Sequence, residues 1–258
     1  MMSPKISVVI PSYNKAKFIS QTLESIVNQD YQNFEVMVQD GGSTDGTLEI
    51  IKTFAGKHPN HIQWESKKDK GQLDAINIGM KKASGEILTF INADDIYLPG
   101  AFGEVTRLYS ENLDAYWFAG RGKVINDKGK EIAKPVTSYK NFLLSLNSPF
   151  LLLVTNYLMQ PSVFTTKEAW KAFGPFAGTT DFVMEYDLWL KLSRKKMPIT
   201  TDKYLSGFRI EPNTITKTMS EKLLLEDEKI VSKYTSSSFV VFLHKLHNYG
   251  RKFVGGVV

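Results

Sequence analysis

Two adjacent aspartates, Asp94 and Asp95, follow the apolar run from Ile87 to Ile91 in the segment GEILTFINADDIYLPG, residues 85–100. Neighbouring carboxylates at the end of a buried strand repel and raise each other's proton affinity. A divalent cation reverses that cost. Hard oxygen ligands suit Mn2+ or Mg2+, and Mg2+ commonly takes one or two carboxylates while substrate phosphates complete its shell. The plainer alternative is that the pair caps a helix beginning near Pro99 or closes a turn. A second acidic centre lies in MEYDLWLKL, residues 184–192, which carries Glu185 and Asp187. At about 100° per residue along a helix, Glu185 shares a face with Leu188, Trp189 and Leu192. Asp187 falls nearly opposite, beside Lys191 and Arg194, where an ion pair one turn on is natural. A carboxylate on an apolar face is costly unless it is paired or used, and its proton affinity rises toward a value useful in proton transfer. This pattern favours Glu185 as a general base. A Glu185 satisfied by a backbone or arginine partner, and Asp187 as the base, remain the alternatives.

These acids need elements to hold them. Residues 6–10 (ISVVI) form a short β-branched run stopped by Pro11-Ser12, and 34–38 (FEVMV) end at Asp40-Gly41-Gly42, a turn signal. Helical spacing predicts helices from Phe18 to Val27, over 47–57 and over 73–82. Residues 62–65 and 86–91 read as further strands. Strands alternating with helices over the first 92 residues predict an α/β fold with a mostly parallel central sheet flanked by helices. In such sheets ligands bind beyond the carboxyl ends of the strands. Those ends carry Ser12-Tyr13-Asn14, Asp40-Gly41-Gly42-Ser43 and Asn92-Ala93-Asp94-Asp95, so polar and acidic groups collect on one rim. Further on, 115–126 and 131–136 flank a hairpin turn signal at Asn126-Asp127-Lys128-Gly129. Thr166 is placed to cap a helix over 167–173, 184–195 read as helix and 204–210 as strand. Residues 141–164 carry no charge and read as buried core rather than a membrane span, because Asn147, Pro149, Asn156 and Gln160 interrupt them.

The chain has 258 residues, no cysteine and a net charge of +5. Disulfide and thiolate chemistry are therefore excluded, and a reducing compartment is expected. The opening residues lack the apolar length of a signal peptide. After Glu228 there is no acid, but Lys229, Lys233, Lys245, Arg251 and Lys252 follow; since 32 − 5 = 27, these five account for the whole excess over 27 acids. A basic tail on a neutral body does not fit a nucleic-acid groove reader, whose cations line a folded face. It suits anionic lipid headgroups better. In the tail, Phe239, Phe242, Leu243, Leu246, Tyr249 and Phe253 share one helical stripe. His244, Lys245, Asn248, Arg251 and Lys252 share another, with Ser236–Ser238 as a candidate cap. The tail then reads either as an interfacial amphipathic helix or as an ordinary packing helix. The expected organisation is a first half over 1–100, a second half of the same domain over 101–228, and the basic tail over 229–258.

SVVIPSYN, VQDGGSTDGT, KDKGQLDAINIGMKKASGEI and FINADD occur in that order at strand ends. Together they resemble glycosyltransferase family 2, over roughly residues 6–215. The resemblance implies an A-type nucleotide-sugar-binding fold and an inverting transfer from a nucleotide-sugar, expected to be a UDP-sugar, to a hydroxyl of a glycan or lipid-linked acceptor at the cytoplasmic face of the membrane. It implies that Pro11 and Tyr13 line the nucleotide, with Tyr13 against the base. Asp40 matches the acid that hydrogen-bonds the base, and Gly41 replaces a second acid common there. Asp94 matches the acid near the ribose, Asp95 the metal ligand, and Asn92 stands where many relatives have aspartate. Lys70 either faces the diphosphate or is a solvated lysine of the run Lys67-Lys68-Asp69-Lys70. The resemblance also puts Glu185 in the base position, Gln160-Pro161-Ser162 toward the acceptor, and Glu211 where a metal-binding histidine is usual. A non-catalytic nucleotide-sugar-binding or membrane scaffold, and a sugar-1-phosphate nucleotidyltransferase, are the competing readings. The latter lacks its Gly-rich basic loop after the first strand, and no phosphate-loop or dinucleotide fingerprint is present.

Overall fold

The computed structural model describes residues 3–176, 183–210 and 220–253, the side chains of 220–223, Lys252 and Phe253 excepted. Strands β1 (Ile6–Ser12), β2 (Phe34–Asp40), β3 (Ile62–Ser66) and β4 (Ile87–Phe90) alternate with helices α1 (Ile19–Val27), α2 (Thr47–Lys57) and α3 (Gln72–Lys82). A two-residue strand, β5 (Ile96–Tyr97), precedes α4 (Ala101–Glu111). Then come β6 (Trp117–Ile125), α5 (Lys134–Leu146), α6 (Pro149–Val154), β7 (Val163–Thr166), α7 (Lys167–Phe173), α8 (Met184–Ser193), β8 (Ile199–Arg209), α9 (Ser220–Tyr234) and α10 (Ser238–Phe253). One eight-stranded sheet results, in the order β3-β2-β1-β4-β7-β6-β8-β5. The β3-β2-β1-β4 block is parallel, and β7 enters antiparallel between β4 and β6. The expected α/β architecture holds, as a mixed sheet.

Both faces of the sheet are covered, which is why its strands read as continuous apolar runs rather than alternating ones. Ile6, Val8 and Ile10 of β1 join α1 and α4 in one core, while Val9 joins α3, α8 and the later helices in the other. Helix α3 lies unusually close to β1, because an added Cβ at Gly79 would sit 2.4 Å from a methyl carbon of Val9. That approach sets the position of Gln72 and Asp74, at the start of α3, beside the strand ends.

Three expectations need correction. The turn at Asn126–Gly129 forms, the Gly129 amide donating to the Asn126 carbonyl at 3.0 Å and the Asn126 amide to the Lys130 carbonyl at 2.9 Å, but the second strand does not extend: Ile125 and Glu131 make a single bridge. Residues 134–146 then turn helical, since a proline at the start of a helix and the spacing of Thr137, Leu143 and Leu144 satisfy a helix better than an edge strand. Residues 141–164 are not uniformly core, because Phe142, Leu146 and Phe150 face solvent. The strand expected at 204–210 begins earlier, at Ile199. The Thr166 cap forms, its hydroxyl accepting from the Ala169 amide at 3.1 Å.

Candidate active site

The loops after β1, β2, β3 and β4 emerge at one edge of the sheet. Asn14, held at φ 52, ties the first two loops together. Its amide donates to Ser43 Oγ at 2.9 Å and its side-chain oxygen accepts from the Thr44 amide at 3.0 Å. The Lys15 amide donates to Thr47 Oγ1 at 2.8 Å. Pro11 is buried in register with Gln39, and Tyr13 stands 62% exposed at the rim. Ser12 Oγ is buried with no hydrogen-bond partner among the described residues, an orphan that a bound molecule at this rim would satisfy.

Asp40 is buried, and its carboxylate accepts four donors: the Gly42 and Ser43 amides at 3.1 and 3.0 Å, Ser66 Oγ at 2.6 Å and Ser43 Oγ at 2.5 Å. In this state it organises the loop. Beside it, a Cβ added at Gly41 would come within 3.0 Å of Asp69 Oδ2. The carboxylate of Asp69 therefore fills the space a larger residue at 41 would claim, and Asp69 Oδ1 accepts from the Gly71 amide at 2.9 Å. Sequence reasoning passed over Asp69; the signal was the missing side chain at 41 together with an acid in the next loop. An open cavity of about 430 Å³ lies on the β2–β3 side, lined by Gln39, Asp40, Lys68, Asp69 and exposed Lys70. Neither Asp94, Asp95 nor Glu185 lines it.

At the end of β4 the acid pair is not a helix cap; it closes a turn, the Asp95 amide donating to the Asn92 carbonyl at 3.1 Å. Helix α4 starts at Ala101 behind a left-handed Gly100, without a side-chain cap. Asp94 is half-buried and paired with Lys15 Nζ at 2.5 Å. Asp95 is almost fully buried. One oxygen accepts from the Arg209 amide at 2.7 Å, while the other receives only a long 3.4 Å bond from Asn92 Nδ2. Burial first, then the neighbouring charge of Asp94, push the Asp95 carboxyl well above the usual carboxylate range; Arg209 and Lys15 oppose the shift. Asn92 accepts from Gln72 Nε2 at 2.6 Å, linking α3 to this loop. Arg209 fixes the segment from behind: Nε donates to the Asp94 carbonyl at 2.6 Å, and Nη1 to the Asn126 and Asp127 carbonyls at 2.8 and 3.0 Å. Its role is to hold the acid-bearing turn, which the sequence did not reveal.

Two carboxylates with spare lone pairs, repelling one another and only partly compensated, are a donor set suited to Mn2+ or Mg2+. Among the described residues no three acidic or histidine side chains converge on one point, so further ligands would be phosphate oxygens, water or residues outside those described. Glu211 lies outside the described residues.

Glu185 sits in the first turn of α8, half-buried. Desolvation pushes its carboxyl up to about 7, the charge of Asp227 adds to the rise, and Lys140 opposes it. Lys140 on α5 and Asp227 on α9 are themselves buried. Desolvation lowers the Lys140 ammonium to about 7 and raises the Asp227 carboxyl to about 6. Arg251 on α10 pairs with Asp227 at 3.3 Å. Asp187 is not on an outer face as expected. Helix α9 covers that side, so Asp187 is buried and bound to Lys191 at 2.8 Å, the Tyr234 hydroxyl at 2.9 Å and Lys233 at 3.7 Å. The expected Lys191 pair forms, but inside the fold.

Tyr13, Asp40, Asn92, Asp94 and Asp95 are thus brought to one rim, while the charges acting on Glu185 come from the helical half. Packing links the halves. Gln160 Nε2 donates to the Phe90 carbonyl at 2.8 Å, and the rings of Phe90 and Phe176, in the segment leading toward α8, meet edge-on at 5.3 Å. Gln160 Oε1 is buried without a partner among the described residues.

The pattern of the family described as glycosyl transferase family 2 matches residues 7–159, more than half of the chain. An uncharacterized glycosyltransferase of Rickettsia conorii is 30% identical over 212 residues, 82% of this chain and 34% of its own length. A Methanococcus voltae dolichyl N-acetyl-glucosaminyl phosphate diacetamido-dideoxy-glucuronosyltransferase is 28% identical, over 95% of this chain and 71% of its own. The chain spans about a third of the R. conorii relative and less of some others. Among solved structures, a Pyrobaculum calidifontis mannosyltransferase in complex with GDP-Man and Mn2+ aligns with a TM-score of 0.72 at 18% identity, over 99% of this chain and 72% of that one. S. aureus TarS in complex with UDP-GlcNAc aligns at 0.59 and 18%, over 89% of this chain and 71% of that one. At such identities these two establish the fold.

Proposed function

Because the chain belongs to glycosyl transferase family 2, we propose that its strand-end rim binds a nucleotide-sugar and that Glu185 activates the acceptor. Tyr13 stacks on the base, with Pro11 behind it. Asp69 supplies beside Asp40 the acid that Gly41 does not. Asp94 takes the ribose, and Asp95, next to Asn92, holds a divalent cation with the diphosphate; Lys70 reaches the phosphates from the cavity wall. When bound, that cation supplies positive charge to the leaving diphosphate. Glu185 accepts the acceptor's hydroxyl proton as the oxygen attacks the anomeric carbon. The bond from that carbon to the phosphate oxygen breaks, its electrons leave with the nucleoside diphosphate, and the configuration inverts. A carboxyl raised to about 7 is a competent proton acceptor near neutral pH, where one at the ordinary value would be a weak base.

The reading extends to a UDP-sugar donor, hexosyl or N-acetylhexosaminyl, and to a glycan or lipid-linked acceptor at the inner face of the cell membrane. One observation carries the proposal: a buried, undercompensated Asp95 beside Asp94 on the same rim as Tyr13 and an unpartnered Ser12. A thermal-shift screen of nucleotide-sugars with and without Mn2+ tests it, since a ligand that binds the folded state adds stability by mass action. A metal-dependent rise for one nucleotide class is expected. No rise for any donor would overturn the proposal, and binding without release of nucleoside diphosphate would leave the scaffold reading.

A further inference from the structure

Helix α10 docks on the body by its polar side. Val240, His244, Asn248 and Arg251 face inward at helical spacing. His244 Nδ1 lies 3.1 and 3.0 Å from the Leu153 and Val154 carbonyls, and Asn248 lies 3.1 Å from His244 Nε2. The outward stripe is apolar: Phe239, Phe242, Leu246 and Tyr249 are each more than half exposed. This is the reverse of an ordinary packing helix. A second stripe lies alongside it on α5, formed by Tyr139, Phe142 and Leu146, with Phe150 following on α6. The stripes meet where the Tyr139 ring stacks on His247, centroids 6.0 Å apart, and α6 packs directly under α10. Eight of the thirteen exposed large apolar side chains of the described residues therefore belong to these three helices, a concentration that single exposed residues do not explain.

The charge pattern selects the occupant. No aspartate or glutamate occurs between Glu131 and Glu168, or after Glu228. Lys134 and Lys245 are exposed on these helices. An aromatic, acid-free surface with scattered cations complements anionic headgroups over a hydrocarbon layer. Among the described residues no helix is long and apolar enough to cross a membrane. We propose that α5, α6 and α10 together form an interfacial face that rests on an anionic lipid bilayer, a wider footprint than the tail alone. The inference depends on the glycosyltransferase reading only for what the membrane would present, and its test uses neither donor nor acceptor.

The full chain is co-sedimented with phosphatidylcholine vesicles containing or lacking phosphatidylglycerol. Binding to the phosphatidylglycerol vesicles, weakened by salt, is expected. The double variant Phe242→Glu/Leu246→Glu should reduce it by about tenfold and Phe142→Glu on α5 by about threefold. The side chains are exposed, so thermal midpoints should not move; serine at the same positions replaces glutamate if they do. Absence of binding, or binding untouched by all variants, overturns the proposal. Binding lost only through α10 restricts the contact to the tail and overturns the three-helix face. A dimer in sedimentation velocity that the same variants dissolve assigns the face to a second copy instead.

Discussion

The acid pair Asp94–Asp95 and the lone acid Glu185 sit in differently built surroundings. The pair ends a strand of the parallel block. It is held by backbone, by Lys15 from the neighbouring loop and by Arg209 from the far strand. Its electrostatics are those of like charges brought together, which a cation would relieve. Glu185 opens a helix and has no counter-ion at contact distance among the described residues. Its environment is set by Lys140, Asp227 and, through Asp227, Arg251, drawn from three further helices. One centre is suited to binding charge and the other to exchanging a proton. Transfer between a phosphorylated donor and a hydroxyl acceptor needs both.

The largest effect separating the two centres is expected at Glu185. Glu185→Gln should lower the transfer rate by about a thousandfold while calorimetry shows donor affinity unchanged. Asp187→Asn, which loosens the contacts to Lys191, Lys233 and Tyr234, should instead lower the thermal midpoint by about 2–6 °C and leave transfer measurable. If the two variants exchanged phenotypes, the base would be Asp187. Next in size, Asp95→Asn should weaken Mn2+-dependent donor binding by about a hundredfold, with little change in binding measured without metal.

Smaller effects probe the helical cluster through pH. As the proposed base Glu185 acts as a carboxylate, so the rate should climb as pH rises through about 7. Lys140 favours the charged form, so Lys140→Met should move that limb to higher pH and cost about threefold in rate at pH 7. Asp227→Asn removes a like charge and should move it lower. The linked stability effect has a definite sign. The folded carboxyl lies above its usual 4.5, so its contribution is full below 4.5 and is lost as pH rises through about 7. Glu185→Gln should flatten that part of the stability profile. Smallest of all, Gly41→Ala places a methyl 3.0 Å from Asp69 Oδ2 and should weaken donor binding by about twofold.

Much of the first centre was legible because its parts follow from local rules. Apolar β-branched runs ending in Pro11, Asp40 and Asn92 mark strand ends, and parallel strands bring their ends to one edge. Helical geometry put Glu185 on the packed face and Asp187 opposite, yet Asp187 is buried under α9 and Glu185 only half-buried, because a single helix's pattern does not say how many sides are covered. The cluster around Glu185 was illegible for the same reason: Lys140, Asp227 and Arg251 come from three helices whose packing no short-range pattern specifies. The tail's two stripes hold in part: Phe239, Phe242, Leu246 and Tyr249 face outward and His244 and Asn248 inward, whereas Lys245 is exposed and the side chains of Lys252 and Phe253 lie outside the described residues. Which stripe faces the body goes with the carbonyls of Leu153 and Val154 at the end of α6, which accept His244 on the inward side.

The division of labour between the two centres is tested most directly by measuring donor binding and nucleoside diphosphate release together, on the wild type, Asp95→Asn and Glu185→Gln, with Mn2+ and a hydroxyl acceptor. A split is predicted: Asp95→Asn loses binding and release in parallel, while Glu185→Gln binds donor normally and loses acceptor-dependent release. Turnover by Glu185→Gln at the wild-type rate, or undiminished Mn2+-dependent donor binding by Asp95→Asn, would contradict it.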